Sequence, residues 1–287
     1  MEYDYIECGD CLELMKGIPN NSIDLTITSP PYDNLRSYNG NISQWNFEKF
    51  QEIAKQLYRV TKDGGVVVWV VNDATVNGSE TGASFKQALY FKEIGFNSHD
   101  TMIWRKPNPI PQVKRGRYTN CFEYMFVFTK GKIKTCNYLT TPCKNAGLNM
   151  SKSSYKNYSA NGTKRKLKRL SVNSEKILTN IWDFNVGAGS GDDRFSKQHT
   201  AVFPEQLAKD HILSWSNPGD VVLDPFLGSG TTAKMAVLNN RHYIGFELDP
   251  QYYDIACKRL DEAEGVERPI LGQRQYTEGH SSMCRTF

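Results

Sequence analysis

The sequence predicts an α/β fold with a mostly parallel sheet, and three observations lead to it. Strand-like apolar runs alternate with helix-like runs along most of the 287 residues, the pattern of parallel strands joined by crossover helices. One run, V-V-V-W-V-V at Val66–Val71, is apolar at every position, as a strand covered on both faces requires. Two strand candidates stop at unusual punctuation: T-S-P-P-Y at Thr28–Tyr32 and D-P-F-L-G-S-G-T-T at Asp224–Thr232.

The elements follow in order. Tyr3–Glu7 reads as a short strand and Cys11–Lys16 as a short helix closed by Gly17 and Pro19. Ile23–Thr28 is a strand, which must stop at Pro30 because proline cannot donate to a ladder. Asp33–Trp45 is polar and rich in Gly and Asn, so it is a loop. Phe47, Phe50, Ile53, Ala54, Leu57 and Val60 recur at helical spacing, predicting a helix over Phe47–Val60. Gly64 and Gly65 turn into the Val66–Val71 strand; Phe85–Lys92 is a helix; His99–Trp104 and Phe122–Phe128 are strands. Residues 131–195 lose periodicity and are rich in Ser, Asn, Lys and Gly. Alternation then resumes. Pro204–Trp215 is a helix with proline in its first turn, Val221–Asp224 a strand, Thr231–Leu238 a helix and Tyr243–Glu247 a strand. Asp249 and Pro250 supply an N-cap and a first-turn proline for a helix reaching about Ala263. The last twenty or so residues are polar and expected to fray. This divides the chain into 1–130, an insertion at 131–195, and 196–287.

Composition narrows the function classes. Hydrophobic residues make up 39% and charged residues 23%, ordinary for a globular protein. No apolar run approaches the roughly 20 residues that cross a bilayer, and M-E-Y-D-Y-I-E-C lacks a signal-peptide pattern. Seven scattered cysteines fit a reducing compartment better than a disulfide framework. Cys8 and Cys11 have C-x-x-C spacing without a second pair at zinc spacing, so no metal is expected. Between Lys130 and Asn180 stand twelve Lys and Arg against one acid, Glu175, a net of +11 that leaves −7 elsewhere in a chain whose total is +4. Such asymmetry suggests a basic face for a polyanion, the plainer reading being a solvated loop.

The two punctuated strand ends carry the chemistry. The residue before a proline is driven out of the helical region, so Ser29 and Pro30 are held extended. The resulting stiff shelf of Ser29, Pro30, Pro31 and Tyr32 presents a hydroxyl, carbonyls and a ring at the edge of the sheet where ligands bind in open α/β folds. In Asp224–Thr232, Gly228 and Gly230 permit a tight turn and close backbone approach, and the helix that follows offers free N–H groups. The loop lacks the Lys-Ser/Thr ending of a phosphate loop and the full G-x-G-x-x-G pattern. Glu247 ends the next strand, where an acid can bind both hydroxyls of a ribose. A nucleoside-bearing cofactor without a long phosphate chain fits these parts.

Here the sequence resembles the amino-methylating DNA methyltransferases that use S-adenosylmethionine. Ser29-Pro30-Pro31-Tyr32 matches their methylation motif, and Asp224–Thr232 resembles their cofactor loop. G-D-C-L-E-L-M at Gly9–Met15, W-R-K-P-N-P at Trp104–Pro109, E-Y-M-F-V-F-T-K at Glu123–Lys130 and H-T-A-V-F-P-E at His199–Glu205 are also similar. The likeness covers 1–130 and 196–260 and omits the basic segment. With the methylation motif first, the recognition segment next and the cofactor loop last, the order is the permuted one called the beta class. Thr200 departs from the family, where proline commonly follows the histidine.

The resemblance implies a Rossmann-like, seven-stranded, mostly parallel methyltransferase sheet with an inserted target-recognition segment. It implies that Asp10, beside Cys11, contacts the adenine amino group and Glu247, beside Leu248, the ribose. It places Asp224, Pro225, Phe226, Gly228, Ser229, Gly230 and Thr231, with His199, Thr200, Ala201 and Phe203, around the methionine part, and Thr28 at the same site. Double-stranded DNA is the implied substrate and a cognate restriction endonuclease the implied protein partner, in a prokaryotic or phage cytoplasm near the nucleoid. Oligomeric state is left open.

The shelf then has a chemical purpose. Cytosine N4 and adenine N6 are poor nucleophiles because their lone pair is delocalised into the ring. The Ser29 oxygen and the Pro30 carbonyl are two acceptors able to draw the amine towards tetrahedral geometry, so that positioning supplies most of the catalysis. The base must leave the duplex to be reached, and Tyr32 can stack on it. Serine at the first motif position points to cytosine N4, with adenine N6 the alternative. Pro142-Cys143 matches a thiolate motif only as a dipeptide. Lys164, Arg165, Lys166, Lys168 and Arg169 read as phosphate contacts. Arg115 and Arg117 suit either guanine edges or phosphates, and Arg36 and Lys106 complete the candidate DNA contacts. A catalytically silent nucleic-acid-binding module and a methyltransferase acting on RNA or a small molecule are the competing readings.

Overall fold

Val66–Val71 lies at the heart of the sheet, as its unbroken apolar composition demands: all six residues are buried. In the computed structural model the described residues are 1–31, 45–111, 116–144, 146–147, 173–186 and 204–265, with the backbone of 283–285. The first half runs β1 (Tyr5–Cys8), α1 (Cys11–Met15), β2 (Ile23–Thr28), α2 (Phe47–Val60), β3 (Thr61–Val71), β4 (Thr75–Val76), β5 (Ser79–Glu80), α3 (Ala83–Glu93), β6 (Asn97–Arg105) and β7 (Phe122–Thr129). The second half runs β8 (Thr140–Pro142), β9 (Glu175–Ile177), β10 (Ile181–Asp183), α4 (Glu205–Trp215), β11 (Val221–Asp224), α5 (Thr231–Leu238), β12 (His242–Glu247), α6 (Pro250–Glu264) and β13 (Met283–Arg285).

The sheet order is β10-β6-β7-β3-β2-β11-β12-β1-β13. Only β7 runs against its neighbours; the other pairings are parallel. The expected seven-stranded, mostly parallel sheet is therefore present from β6 to β1, and a three-residue strand extends it at each edge. The chain leaves β2 towards β3 and leaves β11 towards β12, in opposite directions. Such a reversal opens a crevice beyond the C-terminal strand ends, where open α/β sheets bind ligands. Both punctuated strand ends flank it.

The helices cover the sheet as their periodicity requires. Phe50, Ile53, Ala54, Leu57 and Val60 of α2 are fully buried, and the Phe50 ring packs at 5.6 Å from Trp69 and 5.4 Å from Phe91. Phe47, read as part of that stripe, is instead 39% exposed at the helix start, its ring 5.6 Å from Phe50. Asp249 caps α6 by accepting from Gln251 N at 2.8 Å, with Pro250 in the first turn. Pro204 stands one place earlier than expected: it is the extended residue before α4, where its fixed φ is equally well accommodated. His211 on α4 is buried, accepts from Trp215 Nε1 at 3.0 Å and is held uncharged, its pKa pushed down to about 3 by burial.

Residues 138–179 form a second compact unit, and 1–137 with 180–287 form the first. The first unit thus takes in both ends of the 131–195 stretch, including β10. In the second unit β8 and β9 pair antiparallel, with Thr140 donating to Glu175. Cys8, Cys11, Cys121, Cys136 and Cys143 are free. Among the described residues no helix is long and apolar enough to cross a membrane.

One tight contact fixes the layer beneath the crevice. Gly230, with φ +84°, sits against α6 so closely that an added Cβ would lie 2.9 Å from the Ala256 Cβ and 3.0 Å from its Cα. Gly219 has the same φ of +84° with nothing within 4 Å. Gly219→Ala is expected to destabilise by about 1–2 kcal/mol, the left-handed penalty alone. Gly230→Ala adds overpacking of about 1–3 kcal/mol. Urea unfolding of the pair checks this, and equal midpoints would rule out the α6 contact as a constraint.

Candidate active site

β2 and β11 are neighbours in the sheet, and one hydrogen bond joins their ends. Thr28 Oγ1 donates to Asp224 Oδ1 at 2.6 Å across 196 residues of sequence. The same carboxylate oxygen accepts from Phe226 N at 3.0 Å, and the Thr232 hydroxyl also donates to Asp224. Burial pushes the Asp224 pKa up to about 6, against the pull of these three donors. Ser29 follows directly and is half-buried; Pro30 is buried and Pro31 half-buried. Tyr32 lies outside the described residues.

The loop after β11 is braced from the next strand. Glu247 Oε2 accepts from Gly228 N at 2.7 Å and Oε1 accepts from Asp249 N at 2.8 Å. Leu227 N donates to Phe246 O at 2.8 Å, and Gly230 N closes the turn on Leu227 O at 3.0 Å. Gly228 has φ +55°, which favours glycine. Burial raises the Glu247 pKa to about 7; the two backbone N–H groups oppose the rise, and Asp249 and Asp224 add to it. A carboxylate has about four lone-pair sites, so two bonds leave Glu247 able to accept more. Pro225 and Ser229 are buried, Leu248 is exposed, and the Phe226 ring stands edge-on to Trp45 at 5.4 Å.

Asp10 lies just past β1. It caps α1 by accepting from Leu12 N at 2.9 Å, and its other oxygen accepts from Lys49 Nζ at 2.6 Å. Cys11 is buried in the core, its thiol pushed up to about 12, first by burial; such a thiol is inert. Among the described residues no three His, Cys, Asp or Glu side chains gather as a metal site. Cys143 belongs to the second unit, where its N donates to Ser174 O.

A buried cluster behind the loop was not anticipated. Arg259 Nη1 donates to Ser229 O at 2.7 Å, Ser229 Oγ at 2.9 Å and Thr231 Oγ1 at 2.9 Å. Its Nη2 donates to Glu205 Oε1 at 2.7 Å, which also receives Lys234 Nζ at 2.7 Å. The available signal was a charge on the buried stripe of α6: Ile255, Ala256, Arg259 and Leu260 share that face. Lys49 had no signal, because its partner is set by how α2 packs.

Two candidate DNA contacts are engaged within the protein. Lys106 is ion-paired to the buried Glu123, with its ammonium 5.0 Å from the Trp104 ring centroid. Arg117 donates to Gly78 O and to Glu80 at 3.2 Å, on the β4–β5 hairpin. Arg36, Arg115, Lys164, Arg165, Lys166, Lys168 and Arg169, with His199, Thr200, Ala201 and Phe203, lie outside the described residues.

The Thr28–Asp224 bond has a measurable pH signature. The Asp224 pKa is raised on folding, so its charge opposes folding above about pH 6, and that opposition fades as pH falls towards 3.8. Thr28→Val removes a donor to the charged form. It should destabilise by about 1–3 kcal/mol at pH 8 and by less at pH 5. Equal losses in urea unfolding at the two pH values would discount the carboxylate.

Comparison with known proteins agrees with this geometry. The chain is 54% identical over 250 residues to the orphan methyltransferase M.BamHII of Bacillus amyloliquefaciens, covering 86% of this chain and 92% of that one. Its fold is similar to the structure titled PvuII DNA methyltransferase (cytosine-N4-specific), with TM-score 0.68, 21% identity and coverage of 90% and 88%. It is also similar to a putative DNA modification methylase from Thermus thermophilus complexed with S-adenosyl-L-methionine, with TM-score 0.60, 24% identity and coverage of 90% and 95%. The family of N6 and N4 methyltransferases described as DNA methylases matches residues 23–258, and this chain belongs to it.

Proposed function

We propose that this DNA methyltransferase transfers a methyl group from S-adenosylmethionine to the exocyclic N4 of a cytosine flipped out of duplex DNA. The observation that carries the reading is the 2.6 Å bond from Thr28 to Asp224. It sets Ser29 and the prolines beside the glycine loop, so acceptor and donor sites share one crevice.

The residues present suit the cofactor. Glu247 is largely buried at a strand end with acceptor capacity in excess of its two loop bonds, as ribose hydroxyls need. Asp10 lies just past the adjacent strand β1 and serves the adenine. S-adenosylmethionine, when bound, supplies an electrophilic methyl on its sulfonium. The chain does the rest by placement. The Ser29 oxygen and the Pro30 carbonyl accept the two amine hydrogens and turn the nitrogen lone pair out of conjugation. Pro30 and Pro31 keep those acceptors from relaxing. No covalent enzyme intermediate is required. The +11 stretch from Lys130 to Asn180 supplies phosphate contacts that position the duplex. Serine at the first motif position is the ground for cytosine over adenine.

Methylated DNA, digested to nucleosides and analysed by mass spectrometry, should contain N4-methylcytosine; N6-methyladenine instead would move the assignment to the other amine. Ser29→Ala should slow single-turnover transfer by about 10²–10³, by analogy with loss of an oxyanion-hole donor, while leaving S-adenosylmethionine affinity unchanged. Near-normal chemistry in that variant would remove Ser29 from the mechanism. Glu247 gives a pH test. With its pKa raised to about 7, the acceptor carboxylate is lost progressively as pH falls from 8 to 6. Calorimetric affinity for S-adenosylmethionine should fall with it in the wild type and stay flat, at a weaker value, in Glu247→Gln.

A further inference from the structure

We infer that Arg259, on α6, is a positioning residue for the methyl donor, holding the Ser229–Thr231 turn and tying it through Glu205 to the start of α4. The inference rests on the proposed S-adenosylmethionine site and deepens it.

Four features carry it. The Arg259 side chain is fully buried, and a buried guanidinium stabilises a fold no better than well-packed apolar atoms of the same size. Its bonds therefore point to a geometric purpose. Its donors also diverge: Nη1 serves the turn and Nη2 serves Glu205. A rigid planar fork holds two such donors in a fixed relative geometry, whereas the three donors of an ammonium rotate freely.

The third feature is where those donors land. Ser229 and Thr231 flank Gly230, the residue pressed against Ala256 one turn earlier on the same helix. α6 therefore grips the turn twice, by close packing and by hydrogen bonds, while Glu247 grips it at Gly228. Finally, Glu205 closes the H-T-A-V-F-P-E stretch. Its carboxylate joins α4, α5 and α6 through Arg259 and Lys234. The glycine turn and the first residue of α4 are thus linked by one buried cation.

The test compares Arg259→Met and Arg259→Lys with the wild type. Calorimetry gives the dissociation constant for S-adenosylmethionine, initial rates give separate KM values for it and for duplex DNA, and thermal unfolding reports the fold. Arg259→Met should raise the S-adenosylmethionine dissociation constant and KM about 10–100-fold, the scale of losing charge-assisted hydrogen bonds, with the DNA KM unchanged. Arg259→Lys keeps the charge and should show a smaller rise. If Arg259→Met does not fold, Ser229→Ala with Thr231→Val removes acceptors and leaves the cation. That pair should raise the same constant, and its effect should not add to that of Arg259→Lys. A folded variant that binds S-adenosylmethionine like the wild type overturns this inference alone. A wild-type chain that binds none overturns the cofactor reading as well.

Discussion

A single carboxylate oxygen, Asp224 Oδ1, bears the constraint on which the site depends. It accepts from Thr28 at the end of one central strand and from Phe226 in the loop beyond the other. Without this tie, two strand ends from opposite halves of the sequence would be neighbours in the sheet with no fixed relation between their loops. The sheet supplies proximity; the carboxylate supplies registry. Its burial is unfavourable enough to raise its pKa to about 6, so three donors are what keep it a useful acceptor near neutral pH.

The same logic repeats around the crevice. Glu247 is spent partly on the loop, Asp10 on a helix cap and on Lys49, and Arg259 on the turn from behind. Each of these three charged groups therefore has an internal partner before any ligand arrives. A polar group fixed in advance loses little freedom when a ligand binds, which is the physical content of preorganisation. Burial shifts Asp224 and Glu247 upward, against the pull of the donors around them.

Much of the fold was legible because its signals are local. Ile23–Thr28, Phe47–Val60, Val221–Asp224 and Thr231–Leu238 have the ends that periodicity and punctuation predict. β3 begins five residues before its apolar run, since Thr61 is held by pairing with Ile23 across an irregular register that no local pattern announces. β10, three residues long, was hidden in the polar stretch, and only its pairing with β6 makes it a strand. At the site the motifs gave themselves away as abrupt strand ends. The partners of Glu247, Lys49 and Arg259 did not, because donors reach those groups from loops and helices placed by the tertiary fold.

The central pairing has a consequence for synthesis. β2 waits for β11, and β1 for β12, so the partners of both arrive late on the ribosome. At about 5–20 residues per second, the 196 residues between Thr28 and Asp224 leave the β2 edge open for about 10–40 s. During that interval β3, β7 and β6 can assemble on one side of β2 while the other side remains a template for foreign strands. Asp24 stands on that exposed border, and in the finished protein it receives Lys62 Nζ at 2.6 Å and Val221 N at 3.0 Å.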